Sequence, residues 1–223
     1  MNFFYRALAL FTVLFFCVAA HAQQSLDNPH GLSLAAVRSG NLVRLKELIE
    51  QHGANMNSRN RTGESLLMMS MKAGYLDIAN YLLDMGANIE TPNTSKVTPL
   101  MTAAYLGNLA MVNRLLEKNA NINAVDQLKK TAIVYAAGSG HTEVVARLLD
   151  AGIDINARYP NELTALMWAA GAGHDKTVAL LLERGADPGM RDNRGKTALQ
   201  MADDAGHLAV SFRTAPDVSF RPK

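Results

Sequence analysis

The chain has 223 residues, enough for one or two ordinary domains. With 48% hydrophobic and 19% charged residues it has the balance of a folded chain rather than a disordered one. Twenty-two Lys and Arg against 20 Asp and Glu give a formal charge of +2, too small to argue for a nucleic-acid partner.

Residues 1–22 read as a cleaved signal peptide. Arg6 is the only charge before the apolar run Ala7–Ala20, and Ala20-His21-Ala22 supplies small residues at the usual cleavage spacing. Fourteen such residues rise about 21 Å as a helix, short of a hydrocarbon core of roughly 30 Å, so an export signal fits better than an anchor. Phe15 and Phe16 stand where lipoprotein processing at Cys17 wants small residues. Cys17 is the only cysteine, so cleavage after Ala22 leaves a chain whose stability comes from packing without disulfides. No membrane span is expected after signal cleavage, and residues 23–30 form a short lead.

From residue 31 the sequence repeats. Glycines fall at Gly74, Gly107, Gly140, Gly173 and Gly206 with a period of 33, preceded by Gly40. A second series, Gly53, Gly86, Gly152 and Gly185, has the same period, and Asn119 fills its missing place. Asn is the residue after Gly that best tolerates a left-handed helix end. A third series of small residues runs Ala36, Ser70, Ala103, Ala136, Ala169, Ala202.

In chain order, the first unit carries a charged second helix with Arg44, Lys46, Glu47 and Glu50. The second opens at Ser65 and has the methionine patch Met68, Met69 and Met71. The third opens at Thr98. The fourth, Lys130–Ala157, reads as a short apolar helix (TAIVYAA), a glycine turn (GSGH), an amphipathic helix (TEVVARLL) and a polar loop. In that unit Val144, Val145, Leu148 and Leu149 share one face. The fifth opens at Thr164. The sixth, from Thr197, is shortened, carries Asp203 and Asp204, and breaks off near Arg213. One unit cannot bury its apolar face alone, so the units must stack and the ends must differ.

TPLMTAAYLGNLAMVNRLLEKNANIN from Thr98 and TALMWAAGAGHDKTVALLLERGADP from Thr164 resemble the ankyrin-repeat signature TPLHxAAxxGHxxxVxxLLxxGAxxN. The resemblance covers residues 31–213, divided at 31–60, 61–93, 94–126, 127–159, 160–192 and 193–213, with an irregular tail at 214–223. It implies an all-α repeat solenoid of about six stacked ankyrin repeats, each a helix-turn-helix with a hairpin-like loop, the terminal repeats acting as caps. It is similar to exported, periplasmic bacterial members, and implies a non-catalytic protein–protein interaction module that binds through loop tips and the inner-helix face.

The tips are expected at 59–64, 91–97, 126–130, 159–163 and 191–196. They carry Arg59, Arg61, Lys96, Lys129, Lys130, Arg158, Arg191, Arg194 and Lys196 against Glu64, Glu90, Asp126, Glu162 and Asp192. This mildly basic ridge is either a solvated edge or a dock for an acidic protein surface. The adjacent lysines Lys129 and Lys130 single out the loop into the fourth unit.

His141, His174 and His207 recur once per repeat, too far apart to share one zinc, and the resemblance implies a bracing role for them. His30 and His52 are isolated. The signature's TPLH histidine is replaced by Met68, Met101, Val134, Met167 and Gln200. These read as gap-filling core residues or, alternatively, as an adaptable binding surface. Tyr135 and Trp168 share one repeat position and read as core, or as aromatic anchors for a partner.

No cofactor and no metal site is expected, and no nucleophile elbow, phosphate loop or H-E-x-x-H motif occurs. Two N-x-S/T sequons at Asn60 and Asn93 fall in the tips, where sugars would obstruct binding, which favours a bacterial envelope over a eukaryotic secretory route. The expectation is a monomeric protein, periplasmic or secreted. Its partner is a protein of unknown identity. Rival roles are an accessory factor that delivers or protects a ligand for a periplasmic enzyme, and a secreted effector that binds a host protein.

Overall fold

Ala36, Ser70, Ala103, Ala136, Ala169 and Ala202 are all at most 4% exposed, because at these points successive helices touch with nothing larger than a methyl or hydroxymethyl between them. The computed structural model describes residues 28–207. The expected signal segment 1–22, most of the lead, residues 208–213 of the last unit and the tail 214–223 lie outside the described residues.

Within them the inner helices are α1 (Pro29–Arg38), α3 (Leu66–Ala73), α5 (Pro99–Tyr105), α7 (Ala132–Gly138), α9 (Ala165–Gly171) and α11 (Ala198–Asp204). The outer helices are α2 (Leu42–Glu50), α4 (Leu76–Asp84), α6 (Leu109–Glu117), α8 (Thr142–Asp150) and α10 (Asp175–Glu183). The first five inner helices each pack on the next inner helix and on their own outer partner, which gives an all-α stack of ankyrin type. α1 begins at Pro29, with Asn28 as its cap, and so takes in the last two residues of the expected lead.

The helix starts follow from local chemistry. Ser65, Thr98, Thr164 and Thr197 each accept a hydrogen bond from the backbone N–H three residues on, and so satisfy one of the unpaired donors of the first turn. Asn41 and Asn108 do the same for α2 and α6. The core is a continuous seam in which Leu45, Leu48, Ile78, Leu82, Leu83, Val112, Leu115, Val145, Leu148 and Leu181 are fully buried. Asn119 takes the left-handed conformation (φ 62°) that its place in the glycine series requires.

The histidines brace the stack. His141 Nε2 donates to the Tyr105 carbonyl at 2.9 Å, and His174 Nε2 donates to the Gly138 carbonyl at 3.1 Å, each reaching back to the preceding inner helix. The rings lie against the turn glycines of that repeat. A Cβ on Gly107 would sit 2.4 Å from His141 Nδ1, and one on Gly140 would sit 2.6 Å from His174 Nδ1.

Along the other edge, five loops follow the outer helices: loop 1 (51–65), loop 2 (85–98), loop 3 (118–131), loop 4 (151–164) and loop 5 (184–197). Two hydrogen bonds recur between neighbours. Near the base, Asn88 N donates to Asn57 Oδ1 (2.8 Å), Asn121 N to Glu90 Oε1 (2.8 Å) and Asp187 N to Asn156 Oδ1 (2.9 Å). At the tip, Thr94 N donates to Thr62 O, Gln127 N to Ser95 O and Asn193 N to Asn161 O, all at 3.0 Å.

Between loops 3 and 4 neither bond forms among the described residues. The donor expected at the tip is residue 160, a proline with no N–H. At the base, Ile153 stands where the other loops have Ala54, Ala87, Ala120 and Ala186. Its amide lies 3.4 Å from Leu148 O, against 2.9–3.0 Å for the four alanines. The junction is closed instead by packing and by one side-chain bond, from Thr131 Oγ1 to the buried Tyr159 hydroxyl (3.0 Å). That bond uses the hydroxyl of Thr131, which makes no cap bond to α7. The helical edge stays bonded across the same junction, Arg147 Nε of α8 donating to Asn113 Oδ1 of α6 (2.8 Å).

Two outcomes follow. The Asp154 amide should exchange with solvent at least about tenfold faster than those of Asn88, Asn121 and Asp187 in native-state hydrogen exchange. Equal protection of all four would contradict the interrupted ladder. Gly140→Ala should destabilise by roughly 1–3 kcal/mol, because its φ of 74° and the His174 ring both oppose a side chain. Gly138→Ala should stabilise by about 0.5–1 kcal/mol, since Gly138 is helical and an added Cβ meets only Trp168 Cε3 at 3.7 Å. Denaturant midpoints moving in opposite directions check the pair.

Candidate functional site: the loop-tip ridge

Four of the five tips are each built on one side-chain acceptor. Asn60 Oδ1 receives the amides of Thr62 and Glu64 (both 2.9 Å), and Asn93 Oδ1 those of Ser95 (2.9 Å) and Val97 (3.0 Å). Asp192 Oδ1 receives those of Arg194 (2.9 Å) and Lys196 (2.8 Å), and Asp126 Oδ1 that of Lys130 (2.8 Å). Such a turn places its fourth residue in the left-handed region, where Gly63, Lys96, Lys129 and Gly195 have φ of 77°, 61°, 58° and 79°. The fourth tip starts on Tyr159, which has no such acceptor. There the chain turns through Pro160 with Asn161 and Glu162 both at positive φ (64° and 61°).

The nine basic residues of the ridge fall into two groups. Six are engaged within the fold. Arg59 spans its own tip, donating to Gly63 O (2.8 Å) and to Pro92 O of the next loop (2.7 Å). Arg158, three repeats further on, bonds Glu162 (2.7 Å) and Arg191 O (3.3 Å). Arg191 bonds Gly195 O (2.8 Å). Arg194 pairs with the buried carboxylate of Asp192 (2.7 Å), and Lys196 pairs with Asp204. The Lys130 ammonium lies over the Trp168 ring, 4.7 Å from its centroid, and 5.9 Å from that of Tyr135.

The other three, Arg61, Lys96 and Lys129, are exposed, and their side chains make no hydrogen bond or ion pair among the described residues. Arg61 shares a shallow open depression with Arg38, Asn60 and Thr62.

The acids are all engaged. Glu64 bonds Lys72 and Asn60, Glu90 accepts the Asn121 amide, and Asp126 receives the Tyr135 hydroxyl at 2.6 Å. Burial, and then the Asp126 carboxylate, push the Tyr135 phenol well above its usual range. Asp192 is held below the ordinary carboxylate range. Burial acts to raise it, but the Lys196 and Arg194 amides and the Arg194 guanidinium together outweigh that.

The methionines do not form a surface. Met68, Met69 and Met71 are at most 9% exposed, and Met101 and Met167 are 1% exposed, so the adaptable-surface alternative is replaced by core packing. Gln200 is exposed and caps α11, its Oε1 accepting from Thr197 N at 3.0 Å. Tyr135 and Trp168 are half-buried on the inner-helix face, with Tyr105 set edge-on to Tyr135 at 6.2 Å. Trp168 Nε1 is buried with no hydrogen-bond partner among the described residues. Likewise among those residues, no three His, Asp or Glu side chains converge as metal ligands, and no helix is long and apolar enough to cross a membrane.

Two exposed apolar residues were not singled out by sequence reasoning: Val125 (40% exposed) and Leu128 (63%). The signal lies in the register. Val125 stands where the other loops have Arg59, Pro92, Arg158 and Arg191, and Leu128 where they have Thr62, Ser95, Asn161 and Arg194.

The family model described as ankyrin repeats (3 copies) matches residues 9–93, 32–126, 89–159, 122–192 and 156–211 in overlapping segments. No curated protein matches the chain significantly. Ankyrin repeats are generally protein–protein interaction modules, typically non-catalytic scaffolds, and the stacked helix pairs, the loop register and the matched segments together place this chain in the ankyrin-repeat family.

Proposed function

We propose that this protein is a non-catalytic binding module of the bacterial cell envelope that captures a protein partner through an acidic surface laid on its loop-tip ridge. One observation carries the reading. Every acidic side chain of the ridge has a partner inside the fold, whereas Arg61, Lys96 and Lys129 have none. The ridge of a nearly neutral chain thus offers a partner uncompensated positive charge. These cations sit on preformed tips, which lowers the ordering cost of association, and exposed charge of one sign raises the encounter rate with an opposite surface. The placement in the envelope rests on the signal-like pattern of Arg6, Ala7–Ala20 and Ala20-His21-Ala22.

Photo-crosslinking from positions 96 and 129 in envelope extracts, read by mass spectrometry, should attach the protein to an acidic segment of one partner. Capture should weaken as salt screens the contact. The triple reversal Arg61→Glu, Lys96→Glu and Lys129→Glu should weaken capture roughly 10- to 100-fold, at about 0.5–1 kcal/mol per exposed charge contact, with the helical circular-dichroism signal unchanged. Undiminished capture by the triple variant would falsify the reading.

A further inference from the structure

The interrupted junction and the exposed apolar residues coincide. At the junction of loops 3 and 4, Leu128 O and Asn123 Oδ1 receive no hydrogen bond among the described residues, and Asp154 N donates none. The equivalent groups are paired at the other three junctions. The same tip presents Val125 and Leu128 to solvent and carries the unpaired Lys129 beside them. It also lacks the arginine that spans the first, fourth and fifth tips, Val125 standing in its place.

We propose that this tip receives an extended segment of the partner in which a carboxylate side chain neighbours an apolar one. The inference rests on the ridge reading above and names the partner's chemistry. A backbone N–H of the segment donates to Leu128 O, supplying the bond that Pro160 cannot make, as in strand addition to an open edge. An apolar side chain of the segment lies on Val125 and Leu128, and a carboxylate pairs with the Lys129 ammonium. Asp126, two residues before Leu128, does not repel that carboxylate at close range, because it is 3% exposed and bonded to Lys130 N and the Tyr135 hydroxyl. The exposed acids of loop 4 are Asp154, whose Oδ1 is bonded to Asn156 N, and Glu162, which pairs with Arg158.

A backbone-amide NMR titration of the purified chain with end-blocked peptides tests this. The probes are Asp-Leu-Asp-Leu-Asp, its serine analogue Asp-Ser-Asp-Ser-Asp and its cationic analogue Lys-Leu-Lys-Leu-Lys. The Asp-Leu probe should shift amides of residues 123–130 and 153–161 above all others, bind at least about fivefold more tightly than the Asp-Ser probe, and leave the Lys-Leu probe without effect. Leu128→Asn and Lys129→Glu should each weaken it by about five- to tenfold. Leu128 is 63% exposed, so the asparagine variant keeps the fold, checked by its amide spectrum. Shifts centred on Arg61 and Lys96, with Leu128→Asn indifferent, would overturn this inference and leave the ridge reading standing. No shift with the Asp-Leu probe at millimolar concentration overturns it too. If Arg61→Glu, Lys96→Glu and Lys129→Glu also leave capture unchanged, the ridge reading falls with it.

Discussion

A pair of helices seven to ten residues long cannot cover its own apolar face, and every other feature of this chain answers to that constraint. The face is buried only when a second pair lies on it, so the positions where pairs meet must be small and in register. That is why alanine or serine recurs at the inner-helix contact, and why the turn beneath each histidine is glycine. A methyl group on Gly107 or Gly140 would occupy space taken by the ring of the following repeat. The histidine in turn holds a carbonyl at the end of the preceding inner helix. Stacking thus fixes the helical edge, and the loop edge is left to be stabilised by bonds between neighbouring loops.

Those loop bonds are where this chain departs from its own period. The helical edge is continuous across all the described repeats, but the loop edge consists of one bonded run over loops 1–3 and a second over loops 4–5. The departures that produce the gap are of different kinds: a lost donor at Pro160, a larger side chain at Ile153, and an aromatic ring at Tyr159 in place of the tip acceptor. Ile153 and the Tyr159 ring are buried at this junction, and the Tyr159 hydroxyl keeps the one hydrogen bond to loop 3. A junction with apolar filling and a bonded opposite edge resists shear through the core, yet has fewer directional restraints between its tips. The exposed Leu128 lies beside this junction.

Much of the fold was legible in the sequence because stacking imposes a strict period. Asn119 was readable as a left-handed residue from its place among glycines, and Met68, Met101 and Met167 were readable as filling. The candidate site was less legible. Nine cations on a ridge look equivalent in sequence, but Arg59, Arg158 and Arg191 are bound to carbonyl oxygens that no side-chain pattern reveals. Arg194 is committed because its neighbour Asp192 is buried by the packing of the loop, a fact of tertiary structure. Lys130 is drawn inward by a ring 38 positions away, Trp168, whose face is presented only once the repeats stack. Ile153 and Pro160, by contrast, were visible as breaks in the period, and their meaning came from the hydrogen bonds that their counterparts make.

The conformation of Lys96 and Lys129 bears on what the ridge is for. Both occupy the left-handed region at a position that Gly63 and Gly195 hold without a Cβ penalty, a difference of roughly 1 kcal/mol per residue. If solubility alone were served, charge could sit at neighbouring tip positions outside the left-handed region, as Arg61 does, and glycine could keep the turn. A lysine at the turn itself is exposed on a backbone held by the Asn93 and Asp126 acceptors beneath it. The strain therefore coincides with two of the three unpaired cations, as expected where local backbone cost is tolerated for a contact made with something outside the fold.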